Sequence, residues 1–274
     1  MEYPRTGSLV SDLGRPRLHL RETTSTNDRA RALAAAGAPH GTLVTAGAQT
    51  AGRGRQGRVW TAPPGKALLY SAIVRPLDER HLMLPLAAPL AVCEAAEELA
   101  DTPAPADGGT KTGFRCGVKW PNDVQVEGRK LAGILVEARP QDGWAVVGVG
   151  LNLTIAPDEF PPDLQDKAVS IFSSDMGGRG RTRQASPLFA QAGPPTTPLT
   201  AAAVLNRHLE RWVEADPDAV LKSWRQRDAL KGREVAWDGG SGVADGVDDR
   251  GYLLVVTVGG DRVAVGAGEV HLRL

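Results

Sequence analysis

Gly47-Ala48-Gln49-Thr50-Ala51-Gly52-Arg53-Gly54-Arg55-Gln56-Gly57-Arg58-Val59-Trp60 sets three arginines among four glycines, directly after the apolar run Thr42-Leu43-Val44-Thr45-Ala46. Glycine lets a backbone turn tightly and come close to a ligand. Arginine presents a planar fork of donors to phosphate or carboxylate oxygens. The stretch therefore reads as a mobile loop, fed by a strand, that closes over an anion. It contains a literal G-x-G-x-x-G at Gly52, Gly54 and Gly57, which raises the dinucleotide-binding turn. That turn needs a helix opening from its last glycines, and Pro63-Pro64-Gly65 follow too soon for one. A solvated Gly/Arg loop or an unspecific nucleic-acid contact is the plain alternative, and the flanking sequence decides against it.

Upstream, Leu18-His19-Leu20 predicts a short strand. Thr23-Thr24-Ser25-Thr26-Asn27-Asp28 then precedes an Ala-rich run ending at Gly37, the signature of a helix N-terminus and its stop. Hydroxyls and backbone N–H groups at a helix start also suit a polar ligand head. Downstream, residues 67–74 read as a returning strand and residues 81–100 as a long Leu/Ala helix carrying Cys93 as core filler. A Pro/Gly/Asp loop over 101–117 leads to Val118-Lys119-Trp120-Pro121-Asn122-Asp123-Val124. Pro121 interrupts a strand there, and a turn at Glu127-Gly128-Arg129 places Lys130 at the mouth of a hairpin. Residues 144–150 form another strand, running out at Leu151-Asn152-Leu153. Gly133, Gly148 and Gly150 spread over these strands leave room for something flat against the backbone. Residues 173–198 are rich in chain breakers and read as a flexible insertion. Two helices follow between 200 and 230, split near Asp216-Pro217, and short strands with Gly/Asp turns from 232 onward suggest a small β-barrel.

Composition sets the outer limits. With 274 residues, 42% hydrophobic and 23% charged, the chain has material for one large domain and a small appendage. Lys+Arg and Asp+Glu are 32 each, so no global basic field advertises nucleic acid. No apolar run reaches membrane length, no signal-peptide core opens the chain, and two distant cysteines show no zinc spacing. Those features fit a cytoplasmic protein without metal ligands of its own. The five histidines are scattered and read as structural or exposed. Lysines number only seven, and Lys119 and Lys130 both fall within the candidate constellation. Cations without a strong general base suit a reaction in which charge is neutralised on phosphates, such as carboxylate attack on ATP.

These residues resemble the biotin–protein ligases. The resemblance runs through Ser25-Thr26-Asn27, Gln49, residues 52–60, residues 119–124, residues 130–137 and Gly148-Val149-Gly150-Leu151-Asn152-Leu153, in the family's order. It implies an α/β (α+β) fold: a mixed-sheet catalytic domain over 1–230, with the insertion at 173–198, and an SH3-like β-barrel over 231–274. It implies two steps, biotin and MgATP giving biotinyl-5′-AMP, then transfer to a lysine of a biotin carboxyl carrier domain. Carried over by position, Ser25, Thr26, Asn27, Gln49 and Gly52 would meet biotin, with Gly133 and Gly150 walling its bicycle. Arg53 and Lys130 would contact its carboxyl, and Arg55, Lys130 and Asp123 would be catalytic, Asp123 facing the incoming lysine. Arg55, Arg58, Trp60, Lys119, Asn122 and Asn152 would hold the nucleotide. Gln56 departs from the pattern, where a basic residue is expected. The short lead-in before Leu18 leaves no room for a DNA-binding domain, so the resemblance implies a monomeric or weakly dimeric ligase without nucleic-acid or membrane partners. Lipoate–protein ligases share the catalytic fold, but the Lys-Trp-Pro-Asn-Asp and Gly-Arg-Gly-Arg stretches lean towards biotin.

Overall fold

A computed structural model describes residues 13–101, 114–172, 196–266 and 271–272. Two sheets organise the chain. The larger has seven strands in the order β1-β2-β3-β7-β6-β5-β4: β1 (Arg17–Leu20), β2 (Leu43–Ala46), β3 (Ala67–Val74), β4 (Gly117–Lys119), β5 (Asp123–Val126), β6 (Arg129–Arg139) and β7 (Trp144–Asn152). Only β1 and β2 pair in parallel; the other pairings are antiparallel, so the sheet is mixed. Strand β3 is buried along its whole length because both faces of the sheet are covered. Its even residues Leu68, Tyr70, Ala72 and Val74 join the main core under helix α2 (Leu84–Asp101), as alternation along a strand requires. On the other face, Ile73 packs with Val44, Val146 and Trp144 under Ala30 and Ala34 of helix α1 (Thr26–Ala35).

Helix α2 is apolar nearly all round and lies inside the protein, flanked by α3 (Pro198–Val213) and α4 (Pro217–Gln226). Thr197 and Asp216 cap these two helices, each with proline in the first turn. The split near Asp216-Pro217 is thus present. The proposed insertion at 173–198 lies outside the described residues up to 195, as does most of the loop expected over 101–117; Pro198 already belongs to α3.

The second sheet holds β8 (Glu234–Trp237), β9 (Gly240–Val247), β10 (Leu253–Thr257), β11 (Arg262–Val265) and β12 (His271–Leu272), in the order β11-β10-β9-β8-β12. The expected SH3-like barrel is corrected here: among the described residues the sheet is open, because its end strands β11 and β12 do not pair with each other. Short strands and turns specify hairpins, whereas closure needs a shear that hairpins alone do not impose. Val235, Ala244, Val247, Leu253 and Val255 of this sheet lie in the same hydrophobic core as α2 and β3. Trp120 Nε1 donates to Gly251 O at 3.0 Å, joining the turn after β4 to the turn before β10.

At the α2–α3 seam His208 bonds Glu94 at 3.1 Å and Glu98 at 2.8 Å. The bond to Glu94 raises the imidazole pKa above its ordinary value, with Glu98 adding to the effect. A pKa raised on folding adds stability below the unfolded value, near 6.5, and loses it as pH rises through the folded value. The carboxylates are partly solvated, so the effect is screened. Between about pH 6 and about pH 8.5, the melting temperature should fall by about 1–3 °C more than in His208→Gln. Scanning calorimetry of both proteins checks this; parallel slopes would remove His208 from the account.

Candidate functional site

Strand register builds the floor of the site. Leu69 lies opposite Gly150, Gly150 opposite Gly133, Gly133 opposite Asp123 and Asp123 opposite Lys119, so one lateral row crosses β3, β7, β6, β5 and β4. The next row on the same face sets Ser71 opposite Gly148 and Gly148 opposite Leu135. Glycines in the middle of both rows sink the floor where bulkier side chains would stand. Above it is a cavity of about 530 Å³. Among the sequence-proposed residues, all but Gly52 line it.

Lys130 and Gly133 are three residues apart and would face opposite sides of a regular strand. The β5–β6 ladder shifts register between Val124 and Gln125, which pair with Ala132 and Lys130 and leave Leu131 over. This bulge brings Lys130 onto the floor side, re-aiming a side chain as bulges next to sites do. A Cβ on Gly133 would stand 3.4 Å from Lys130 Cε. Lys130 Nζ bonds Asp123 Oδ1 at 2.6 Å and lies 5.8 Å from the Trp60 ring centroid. The expected hairpin turn is present, with Glu127 and Gly128 both at positive φ (51° and 76°). Burial lowers the Lys119 pKa; Asp123 opposes that, while Lys130 and Arg58 add to it. Burial likewise lowers the Arg55 pKa against the pull of Asp123. Arg55, Lys119 and Lys130 thus surround Asp123 at one end of the cavity, with Arg58 near Lys119.

The other end is neutral. Ser25 is the N-cap of α1, but its side chain makes no cap hydrogen bond. Gln49 serves the helix start instead: its Oε1 accepts from Thr26 N at 2.7 Å and Thr26 Oγ1 at 3.0 Å. Ser71 Oγ donates to Asn27 Oδ1 at 2.6 Å, and Asn27 Nδ2 donates to Glu137 Oε2 at 2.9 Å. Gly148 exists to admit this amide, since a Cβ there would overlap Asn27 Oδ1. Ser25, Thr26 and Asn27 are buried, so their polar atoms line a wall rather than face solvent.

The Gly/Arg loop is a closed turn. Trp60 N donates to Gly52 O at 2.9 Å and Gly54 N to Arg58 O at 2.8 Å, with Gln56 in the left-handed region at φ 54°. The loop returns the Trp60 indole onto the glycine floor. A Cβ on Gly150 would overlap that ring, and one on Gly133 would stand 3.0 Å from it. The indole Nε1 is buried without a hydrogen-bond partner. An orphaned donor of this kind is uncommon in a native structure.

Some proposed residues already have protein partners. Arg53 Nη1 bonds Asp28 Oδ1 at 2.8 Å and reaches Glu137 Oε1 at 3.2 Å, although the sequence reading gives it to the substrate carboxyl. Asn122 Nδ2 donates to Ile134 O at 2.8 Å and Asn152 Nδ2 to Val169 O at 3.0 Å, so these amide donors brace the walls. Gly52 is packed tightly at the base of the loop: a Cβ there would collide with Trp60 O and stand 2.6 Å from Gln49 Nε2. Sequence reasoning missed Asp28, Glu137 and Ser71. It also missed the wall from Phe160, Leu164 and Lys167, which reaches the site because Lys130 N donates to Lys167 O at 2.6 Å. Among the described residues, no three His, Cys, Asp or Glu side chains cluster to hold a metal ion.

Residues 20–153 match the Biotin/lipoate A/B protein ligase family. Over 263 residues the chain is 38% identical to a biotin–[acetyl-CoA-carboxylase] ligase of Mycobacterium tuberculosis, covering 92% of this chain and 87% of the relative. A ligase of the same name from Paracoccus denitrificans is 31% identical over 265 residues, covering 92% and 98%. Among solved structures, the biotin protein ligase from Aquifex aeolicus in complex with biotin and ATP superposes with a TM-score of 0.66 at 26% identity, covering 94% and 99%. Sequence relatives over nearly the whole length, and a matching mixed sheet with its small second sheet, agree with the site: the chain belongs to the biotin–[acetyl-CoA-carboxylase] ligase family.

Proposed function

We propose that the chain is an ATP-dependent biotin–protein ligase. The observation that carries this reading is a cavity with two chemically different ends over a glycine floor. At one end Ser25, Thr26 and Gln49 offer neutral hydrogen-bonding groups. At the other, Arg55, Lys119 and Lys130 gather round Asp123, with Arg58 near Lys119. The neutral end suits the ureido ring of biotin, and the cationic end suits ATP phosphates. About 530 Å³ is within the range of small-molecule sites.

In the first step a biotin carboxylate oxygen attacks the α-phosphorus and pyrophosphate leaves. Two anions must approach each other, and Lys130 and Arg55 offset that repulsion. In the second step a lysine amine attacks the acyl carbon of the mixed anhydride, AMP leaves, and the amine gives up a proton. Asp123 stands beside Lys130 and accepts that proton once Lys130 has turned to the anhydride. Mg²⁺ would be held by the ATP phosphates and would supply further charge neutralisation there. The acceptor is a carrier domain of a biotin-dependent carboxylase, met in the cytoplasm by a monomer or weak homodimer, with no role for nucleic acid. No described helix is long and apolar enough to cross a membrane.

Pyrophosphate release should require both biotin and ATP and should stop on chelation of divalent metal. Mass spectrometry of a carrier domain should show one biotinyl group on one lysine. Lipoate supporting release as well as biotin does would sink the assignment of substrate.

A further inference from the structure

Arg53 opens the Gly/Arg loop, and its guanidinium is held from two sides. Nη1 lies 2.8 Å from Asp28 Oδ1 on α1 and 3.2 Å from Glu137 Oε1 on β6. Arg31 Nη1 reaches the same two oxygens at 3.3 Å and 3.4 Å. Two guanidiniums and two carboxylates thus form one balanced cluster. Glu137 is itself fixed, because its Oε2 takes the Asn27 amide at 2.9 Å and Asn27 is held by Ser71. The cluster ties the first residue of the loop to a helix and a strand of the sheet. Beyond Arg53, the loop's backbone bonds stay within it, Gly54 N to Arg58 O and Arg58 N to Arg55 O, while Trp60 N closes its base on Gly52 O.

We infer that Asp28 and Glu137 are positioning residues that fix the loop by its first arginine, so that the loop opens and closes about Arg53. What the loop covers rests on the proposed function; the anchoring does not. A guanidinium shared by two carboxylates has its charge compensated before any substrate arrives. Arg55, with Asp123 as its one acidic neighbour among the causes of its shift, is the better cation for an incoming anion. The first arginine and the second therefore have different work: Arg53 holds, and Arg55 moves.

Trypsin tests this on the free protein, since Arg55 and Arg58 are themselves cleavage sites. Asp28→Asn and Glu137→Gln keep side-chain shape and remove the charge. Cleavage after Arg55 and Arg58 should accelerate about two- to fivefold in each, as expected for loss of a partly exposed ion pair that limits local opening. Asp28→Glu should restore the parent rate, and cleavage elsewhere in the chain should stay constant. Should Glu137→Gln fail to fold, Asp28→Asn, on the outer side of α1, carries the comparison. Unchanged loop cleavage in Asp28→Asn, or acceleration in Arg53→Gln alone, would overturn the anchoring. Equilibrium dialysis of the parent with biotin runs alongside. Absence of biotin binding there would fail the substrate reading and leave the tryptic result standing.

Discussion

Lys130→Ala should lower biotin-dependent pyrophosphate release by two to three orders of magnitude at unchanged melting temperature. Lys130 reaches the cavity only because the bulge at Leu131 turns it to the floor side, where it meets Asp123 at 2.6 Å. Removing a single preorganised charge or donor from an electrostatic site costs about 2.7–4 kcal/mol of transition-state stabilisation. The loss should fall on kcat, because charge moves from the carboxylate onto the phosphoryl and leaving pyrophosphate oxygens only as the transition state forms. Its side chain is more than a third exposed in the free protein, so its pair with Asp123 adds little to folding. A pyrophosphate-coupled assay beside a thermal melt separates the two effects. Release within fivefold of the parent would reduce Lys130 to a solvated hairpin residue.

Gly150→Ala should weaken both biotin and ATP by roughly tenfold to a hundredfold. A methyl group there would overlap the Trp60 indole, with Nε1 at 2.6 Å and Cδ2 at 2.7 Å and a closer approach at Cε2. The ring already lies close over Gly133 as well, and the Trp60 backbone is pinned to Gly52 at 2.9 Å. Overpacking of this kind costs about 1–3 kcal/mol and forces the larger partner to move. Displaced from the floor, the indole would stand in the space that ligands need. Titration calorimetry with each substrate checks the prediction, and Gly259→Ala, in the exposed turn after β10 where an added Cβ meets only ordinary contacts, serves as a control for glycine replacement itself. Equal affinities in parent and Gly150→Ala would show that the ring adapts at no cost.

Much of this architecture is legible in the sequence because local pattern dictates it. The apolar runs at 67–74 and 144–152 are β3 and β7, and the hydroxyl-rich start before an Ala-rich stretch is α1. The polar cluster at Asn27 is not legible, since Glu137 lies 110 residues away and no local rule pairs them. Its one trace is an acidic residue late in the apolar strand of residues 130–137. The bulge at Leu131 is equally hidden: the run Lys130-Leu131-Ala132-Gly133 reads as uninterrupted strand, and only pairing with β5 reveals the extra residue. Ser25 shows the limit from the other side. It has the residue type of an N-cap, yet Gln49, from a neighbouring loop, takes the first helical N–H. Openness of the small sheet also escapes the sequence, because strand count and turn spacing are the same for an open sheet and a closed barrel.

The bond from Trp120 to Gly251 ties the small sheet to the cationic end of the site. Trp120 stands beside Asn122 and Asp123, and its indole is buried against a turn whose Gly251 has φ +80° and no room for a Cβ beside Leu86. Val235 and Leu253 complete the core of α2 from the far side. A chain cut before β8 would strip an acceptor from one buried indole and uncover apolar surface on the helix that backs the sheet. The C-terminal strands are therefore not a detachable accessory that evolution or an engineer can exchange freely. Their turn at Gly251 is held by the same packing that seats Trp120 beside Asn122 and Asp123.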